Sequence, residues 1–200
     1  MSVWDKFSRI YDVAETLYNG KVFNGTGEVV ARYIDPDDRV LECACGTGAI
    51  SVSIAPVCRE LTAADLSTGM LRQADKKLRG FSNVRLRRAD ITNLKCPDGS
   101  FDKVVAGNVI HLLDDPGKAL SELLRVCRPG GRVIIPTYIN NSSRSSKAAV
   151  SVIRRFGVDF KEDFDLASYR QFFEDMGCPA AEIRVVQGRM PCAVAVIDKQ

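Results

Sequence analysis

The feature that most restricts this chain is a glycine-rich turn between a short apolar strand and a helix. Arg39-Val40-Leu41-Glu42-Cys43-Ala44 runs directly into Cys45-Gly46-Thr47-Gly48, and helical spacing follows over 49–58. Glycine at such a junction lets the backbone turn tightly and approach a ligand with no side chain between. A ligand so placed sits beyond the carboxyl ends of the strands of an open α/β sheet. Later segments supply that sheet. Strand patterns at 60–65, 84–89, 101–109 and 132–138 alternate with helical patterns from Ser67 to Arg79 and over 116–127. Ser67 suits an N-cap and Pro116 a first helical turn. Such alternation implies a mostly parallel sheet with helices on both faces.

The two ends of the chain break the rhythm. Apolar positions over 3–19 and again over 24–34 have helical spacing, and residues 1–25 read as a lid helix. After a core spanning 35–140, the segment 140–178 is variable in character, with helical patterns at 147–156 and 165–176. Strands at 181–187 and 191–198 are joined by Gly188-Arg189-Met190-Pro191, which is too short for a parallel crossover. The expected architecture is therefore one α/β domain over 1–200, a Rossmann-like three-layer sandwich. Its seven-stranded sheet is mostly parallel and closes with a C-terminal antiparallel hairpin strand over 179–200.

Charge and cysteine usage narrow the function classes. Lys and Arg total 28 against 25 Asp and Glu, a formal +3, whereas a dedicated nucleic-acid binder carries a more basic surface. Arg85-x-Arg87-Arg88 and Arg154-Arg155 read as solvated faces, so nucleic acid is not the expected partner. The seven cysteines are odd in number and several lie inside apolar runs, which fits buried thiols in a reducing cytoplasm. Cys43-x-Cys45 and the single histidine, His111, do not make a metal-ligand set, so no metal is expected. The charged N-terminus is unlike a signal peptide, and no apolar run approaches the ~18 residues that span a bilayer.

Two cofactor classes use a glycine loop of this kind. A dinucleotide site wants G-x-G-x-x-G/A and rests a pyrophosphate on the helix N-terminus; here Ser51 occupies the last position, and Asp65 is spaced to hold a ribose. Glu42 argues the other way, because a carboxyl just before the loop opposes a pyrophosphate and suits a ligand carrying a sulfonium and an ammonium.

The segment Glu42 to Gly48 resembles motif I of class I S-adenosylmethionine-dependent methyltransferases, (D/E)-x-G-x-G-x-G, with Glu42, Gly46 and Gly48 matching and Ala44 standing where the family usually has glycine. Asp65 resembles the acid that holds both ribose hydroxyls in that family. Ala89-Asp90-Ile91 resembles the segment that meets adenine, with Asp90 accepting from the exocyclic amine and Leu66 and Ile91 facing the ring. Phe101–His111 resembles the fourth strand and its loop, and Arg128-Pro129-Gly130-Gly131 the turn before the fifth. The resemblance covers about 35–140 and implies S-adenosyl-L-methionine as cofactor. It implies cofactor contacts from Tyr11, Glu42, Ala44, Gly46, Gly48, Asp65, Leu66, Met70, Asp90, Ile91 and Asn108.

It also implies methyl transfer to a small organic acceptor. Two alternatives stay open: a quinone- or lipid-pathway acceptor, suggested by Phe7-x-x-Ile10-Tyr11-Asp12, and a cofactor-binding protein without turnover. No (D/N)-P-P-(Y/F) follows the fourth strand, unlike methyltransferases of nucleobase amines. His111 is the candidate general base and Tyr138 a candidate acceptor-pocket residue; simple packing is the competing role for both. Phe156, Phe160, Phe164, Phe172 and Phe173 suggest either an aromatic lid or helix packing. The acceptor, the methylated atom and the oligomeric state are not legible.

Overall fold

The computed structural model describes residues 4, 5, 8, 11–140, 161–178 and 182–200, with the side chains of 11–18 excepted. Its elements are α1 (Tyr11–Ala31), β1 (Arg39–Cys43), α2 (Ser51–Ile54), β2 (Glu60–Asp65), α3 (Thr68–Leu78), β3 (Val84–Arg88), β4 (Phe101–Ala106), α4 (Pro116–Val126), β5 (Cys127–Tyr138), α5 (Leu166–Asp175), β6 (Glu182–Val186) and β7 (Cys192–Asp198). The seven strands form one sheet in the order β3-β2-β1-β4-β5-β7-β6. Every pairing from β3 to β5 is parallel, and β7 runs antiparallel to both β5 and β6. This is the mostly parallel sandwich that the alternating pattern predicts.

Both faces of the sheet are covered, and successive residues alternate between them. On β7, Ala193, Ala195 and Ile197 join the core beneath α4 and α5, whereas Cys192, Val194 and Val196 join the core beneath α1 and α2. Val133 and Ile135 of β5 divide from Ile134 in the same way. The central strands therefore read as continuous apolar runs. The edge strand β3, half-buried to exposed throughout, carries Arg85, Arg87 and Arg88. Charge on an edge strand discourages pairing with another sheet.

Several boundaries differ from the sequence reading, each for a local reason. The two N-terminal helical patterns are one run, Tyr11–Ala31, kinked at Asn19, whose φ is −141°. There the buried Asn19 amide donates to the Met190 carbonyl at 2.7 Å, and a Cβ on Gly188 would lie 2.2 Å from Val22. The hairpin turn thus sits tightly against the helix at its kink. The helix expected over 49–58 is a single α turn followed by a 3₁₀ turn at Ala55–Val57, because Pro56 has no N–H to continue the ladder. Strand β4 stops at Ala106 rather than 109, since Asn108 adopts a left-handed φ of 52°. Strand β5 begins five residues early, where Cys127 pairs with Phe101 before a register shift. The helix expected at 147–156 lies outside the described residues.

A buried ion pair crosses the amino end of the sheet. Lys103, in the central strand β4, places Nζ 2.7 Å from Asp38 and 3.3 Å from Asp35. Asp38 also accepts from the Asp35 backbone N–H at 2.7 Å, closing the turn into β1. Lys103 and Asp38 are 6% and 5% exposed, so removing one partner strands a charge in the interior. Lys103→Met is expected to lower stability by about 3–5 kcal/mol in urea unfolding.

Candidate cofactor site

The strand order reverses between β1 and β4, and a cavity of about 230 Å³ opens beyond the carboxyl ends of β1 to β4. Ligands of open α/β sheets bind at this switch point. Glu42, Ala44 and Gly46 line it from the end of β1, Asp65 and Leu66 from β2, Met70 from α3, Asp90 and Ile91 from the turn after β3, and Asn108 from beyond β4. Among the described residues, no lysine, arginine or histidine lines it.

The loop after β1 owes its shape to three left-handed residues, Ala44 (φ 53°), Gly46 (56°) and Gly48 (83°). Ala44 therefore bears strain of about 1–2 kcal/mol that glycine would not. Gly48 does not line the cavity; a Cβ there would lie 3.2 Å from Leu78 and 3.5 Å from Ala74, so its bareness seats the loop on α3. Ala44→Gly is expected to raise stability by about 1 kcal/mol in chemical denaturation.

Asp65 joins the loop to the next element. One carboxylate oxygen accepts from the Gly46 N–H at 2.8 Å and the other from the Ser67 N–H at 2.8 Å. Partial burial pushes its pKa up, opposed by those two N–H groups. Ser67 caps α3 by accepting from Met70 N–H at 3.1 Å. Asp90 is exposed, and its Oδ1 accepts from the Thr92 N–H and hydroxyl at 2.9 and 2.8 Å, which lowers its pKa. Leu66, 58% exposed, presents an apolar face at the mouth.

Glu42 is the most constrained of the acids. It is 1% exposed and takes a hydrogen bond from the Ser51 hydroxyl. Burial first, and the charge of Asp65 to a lesser degree, raise its pKa to about 8 despite the Ser51 bond. The side chain is thus mostly uncharged at neutral pH, and a cation entering the cavity would favour its ionisation. Glu42 holds its proton more tightly folded than unfolded, so this contribution to stability is complete below about pH 4.5 and is lost as pH rises through about 8. Glu42→Gln removes the titration. Its melting temperature is expected to exceed that of the unaltered chain at pH 8, with the gap closing toward pH 5 in thermal melts.

The remaining candidates fall elsewhere. His111 is 5% exposed in the 3₁₀ turn Ile110–Leu112 and does not line the cavity, although Val109, Leu112 and Leu113 of the same loop do. Burial pushes its pKa down to about 4, and its carbonyl accepts from the N–H groups of Lys161 and Glu162. Tyr138 is half-buried, packs against the core beneath α1 and is not a lining residue. The side chain of Tyr11 lies outside the described residues, as do Phe156 and Phe160. Phe164, Phe172 and Phe173 form an edge-on cluster with Tyr169, so packing is their role. Phe23 and Thr26 of α1, with Trp4, Ile50 and Leu94, line the cavity without having been singled out, because none of them belongs to a motif that marks a site. The described cysteines are all free, and burial raises the thiols of Cys43 and Cys45. Among the described residues no cluster is arranged for a metal ion, and no helix is long and apolar enough to cross a membrane.

A model of the methyltransferase domain matches residues 41–135. The chain is 33% identical over 141 residues to a phosphatidylethanolamine N-methyltransferase of Cereibacter sphaeroides, covering 68% of this chain and 69% of that protein. The chain belongs to the class I S-adenosylmethionine-dependent methyltransferases. A demethylmenaquinone methyltransferase of Clavibacter sepedonicus is 35% identical over 136 residues, 67% of this chain and 56% of that protein. A second, from Desulfitobacterium hafniense, is 32% identical over 143 residues, and the chain likewise spans 56% of its length. Among solved structures, an S-adenosylmethionine-dependent methyltransferase of Thermotoga maritima superposes with a TM-score of 0.76 at 18% identity, covering 99% of both chains. Another from Aquifex aeolicus gives 0.71 at 19% identity, covering 96% of this chain and 98% of that one. The residues lining the cavity at the switch point are of the kinds that would suit S-adenosyl-L-methionine. They include carboxyl groups able to receive cationic and hydroxyl groups, apolar surface on Leu66, Met70 and Ile91 able to receive a base, and, among the described residues, no basic side chain for a pyrophosphate.

Proposed function

We propose that the chain transfers a methyl group from S-adenosyl-L-methionine to a small organic acceptor. The observation that carries this reading is the convergence of Glu42, Asp65 and Asp90, each from the end of a neighbouring strand, on one cavity. Asp65 is assigned to the ribose: each of its oxygens holds one backbone N–H and keeps a lone pair for a hydroxyl. Asp90 is assigned to the adenine amine through its solvent-facing carboxylate, between Leu66 and Ile91. Glu42 is assigned to the cationic end, where the buried carboxyl gains a counter-charge. Gly46, Ala44, Met70 and Asn108 complete the wall, and Gly48 acts through loop shape.

When bound, the cofactor supplies an activated methyl whose leaving group is neutral. The residues of this chain orient it and exclude water, the kind of placement that accounts for effective molarities of ~10⁵–10⁸ M. His111, buried and neutral at physiological pH, is assigned to the structure of the loop after β4 rather than to proton removal. The seven thiols, free where described, fit a cytoplasmic setting, and the balanced charge fits a small acceptor rather than nucleic acid.

A lipid-like acceptor is the second reading, favoured by relatives named demethylmenaquinone and phosphatidylethanolamine methyltransferases. Labelled methyl transfer to soluble phenols, thiols and amines, set against a quinol and a phospholipid in vesicles, separates the two. A chain that binds cofactor yet methylates none of these acts as a cofactor-binding protein. S-adenosylhomocysteine at a hundredfold excess over its Kd is expected to stabilise the fold by about 2.7 kcal/mol, with NAD without effect and Asp65→Ala abolishing the response. An equal response in Asp65→Ala overturns the assignment.

A further inference from the structure

Among the described residues of the N-terminal segment, Trp4 reaches the cavity. Trp4, the only tryptophan of the chain, lines it together with Asp65, Leu66 and Met70. Trp4 begins a helical turn closed by the Ser8 N–H on the Trp4 carbonyl at 3.0 Å and by the Ser8 hydroxyl on the Asp5 carbonyl at 3.0 Å. The neighbouring Asp5 ties this turn to α3. One Asp5 carboxylate oxygen accepts from the Ser67 hydroxyl at 2.6 Å and from the Gly69 backbone N–H at 2.8 Å. A free N–H in the first turn of α3 is thereby satisfied by a residue more than sixty positions away in sequence.

The steric fit agrees. A Cβ on Gly69 would lie 2.7 Å from the Asp5 Cα and 3.0 Å from its carbonyl oxygen, so the two backbones meet only because position 69 has no side chain. Glycine in a first helical turn contributes nothing to helix stability, and its place here is explained by this approach. Ser67 serves both ends of the junction: its hydroxyl donates to Asp5 and accepts from Met70 N–H, while its backbone N–H goes to Asp65. The charge of Asp5 also bears on Asp65, raising its pKa. The group assigned to the ribose and the group that seats the N-terminal turn therefore share one serine.

We infer that Trp4 is a wall of the cofactor site and that Asp5 is the positioning residue that seats it, by docking on Ser67 and on the bare backbone of Gly69. The inference rests on the cofactor reading above for the identity of the ligand. It assigns a contact to the part of the chain before α1, whereas the sequence offered only Tyr11, the first residue of α1. An indole there covers apolar ligand surface that would otherwise face water, worth about 0.5–1.5 kcal/mol for an aromatic contact, or about two- to tenfold in affinity.

Because Trp4 is the sole tryptophan, its emission reports on this turn alone. In the full chain, S-adenosylhomocysteine is expected to shield Trp4 from acrylamide quenching. Gly69→Ala, whose added methyl faces Asp5, and Asp5→Ala are both expected to leave Trp4 open to quenching with or without ligand. Each should bind S-adenosylhomocysteine about two- to tenfold more weakly by calorimetry. Asp5→Asn keeps an oxygen acceptor and should restore most of the shielding. The melting temperature of ligand-free Gly69→Ala should match that of the unaltered chain, which separates a seated wall from general stability. Quenching and affinity in Gly69→Ala and Asp5→Ala that equal those of the unaltered chain would overturn the inference. Failure of the cofactor reading shows differently: the unaltered chain would then give neither heat nor shielding with S-adenosylhomocysteine.

Discussion

One carboxylate organises the working end of this molecule. Asp65 ends β2 and divides its two oxygens between the Gly46 N–H of the loop after β1 and the Ser67 N–H that opens α3. Those bonds, with the Cys45 N–H on the Ala64 carbonyl at 2.9 Å, hold two loops in one register across adjacent parallel strands. Without them the three left-handed residues of the glycine loop would have little to keep them in place, since each costs conformational freedom or strain. The cap on α3, the seat of Trp4 and the mouth of the cavity all follow from that junction.

The site departs from what a stable fold would choose, and each departure lines the cavity. Glu42 is interior, and burial holds it protonated near neutrality; Ala44 and Asn108 accept left-handed backbone without being glycine. Costs of this kind collect at functional sites and are offset elsewhere in the structure. Here the offset lies in the sheet, whose central strands are apolar on both faces, and in the Lys103–Asp38 pair that closes its opposite end. The cavity sits at the carboxyl ends of the strands and the buried ion pair at their amino ends, so strain and reinforcement are kept apart.

Much of the fold was legible because period and punctuation agree. Ser67 and Pro116 mark helix starts that the structure keeps at Thr68 and Pro116, and the short link at 188–191 forces the antiparallel β7. Boundaries failed where a distant partner overrode local pattern: Asn19, held by Met190, joins two helical patterns into one kinked run, and Asn108 ends β4 early. Within the site, acids at strand ends could be found because glycine and carboxylate spacing carries the motif. Phe23, Thr26 and Trp4 could not, because nothing in an apolar helical stripe tells which residue meets a cavity and which meets the sheet. His111 was drawn to the site by its place after β4, whereas in the structure it is buried and not among the residues lining the cavity.

By itself the sequence determined the class of fold, the strand ends at which the cavity opens and the chemical type of the groups offered there, because these depend on periodicity and on residue identity at a tight turn. Only the tertiary structure decided which groups meet. Burial, and not residue type, made Glu42 a weak acid and His111 a weak base; a missing side chain at Gly69 let Asp5 reach α3 and bring Trp4 to the cavity. Proximity across more than sixty residues and the loss of water around a charge are properties of packing, and no local pattern encodes them.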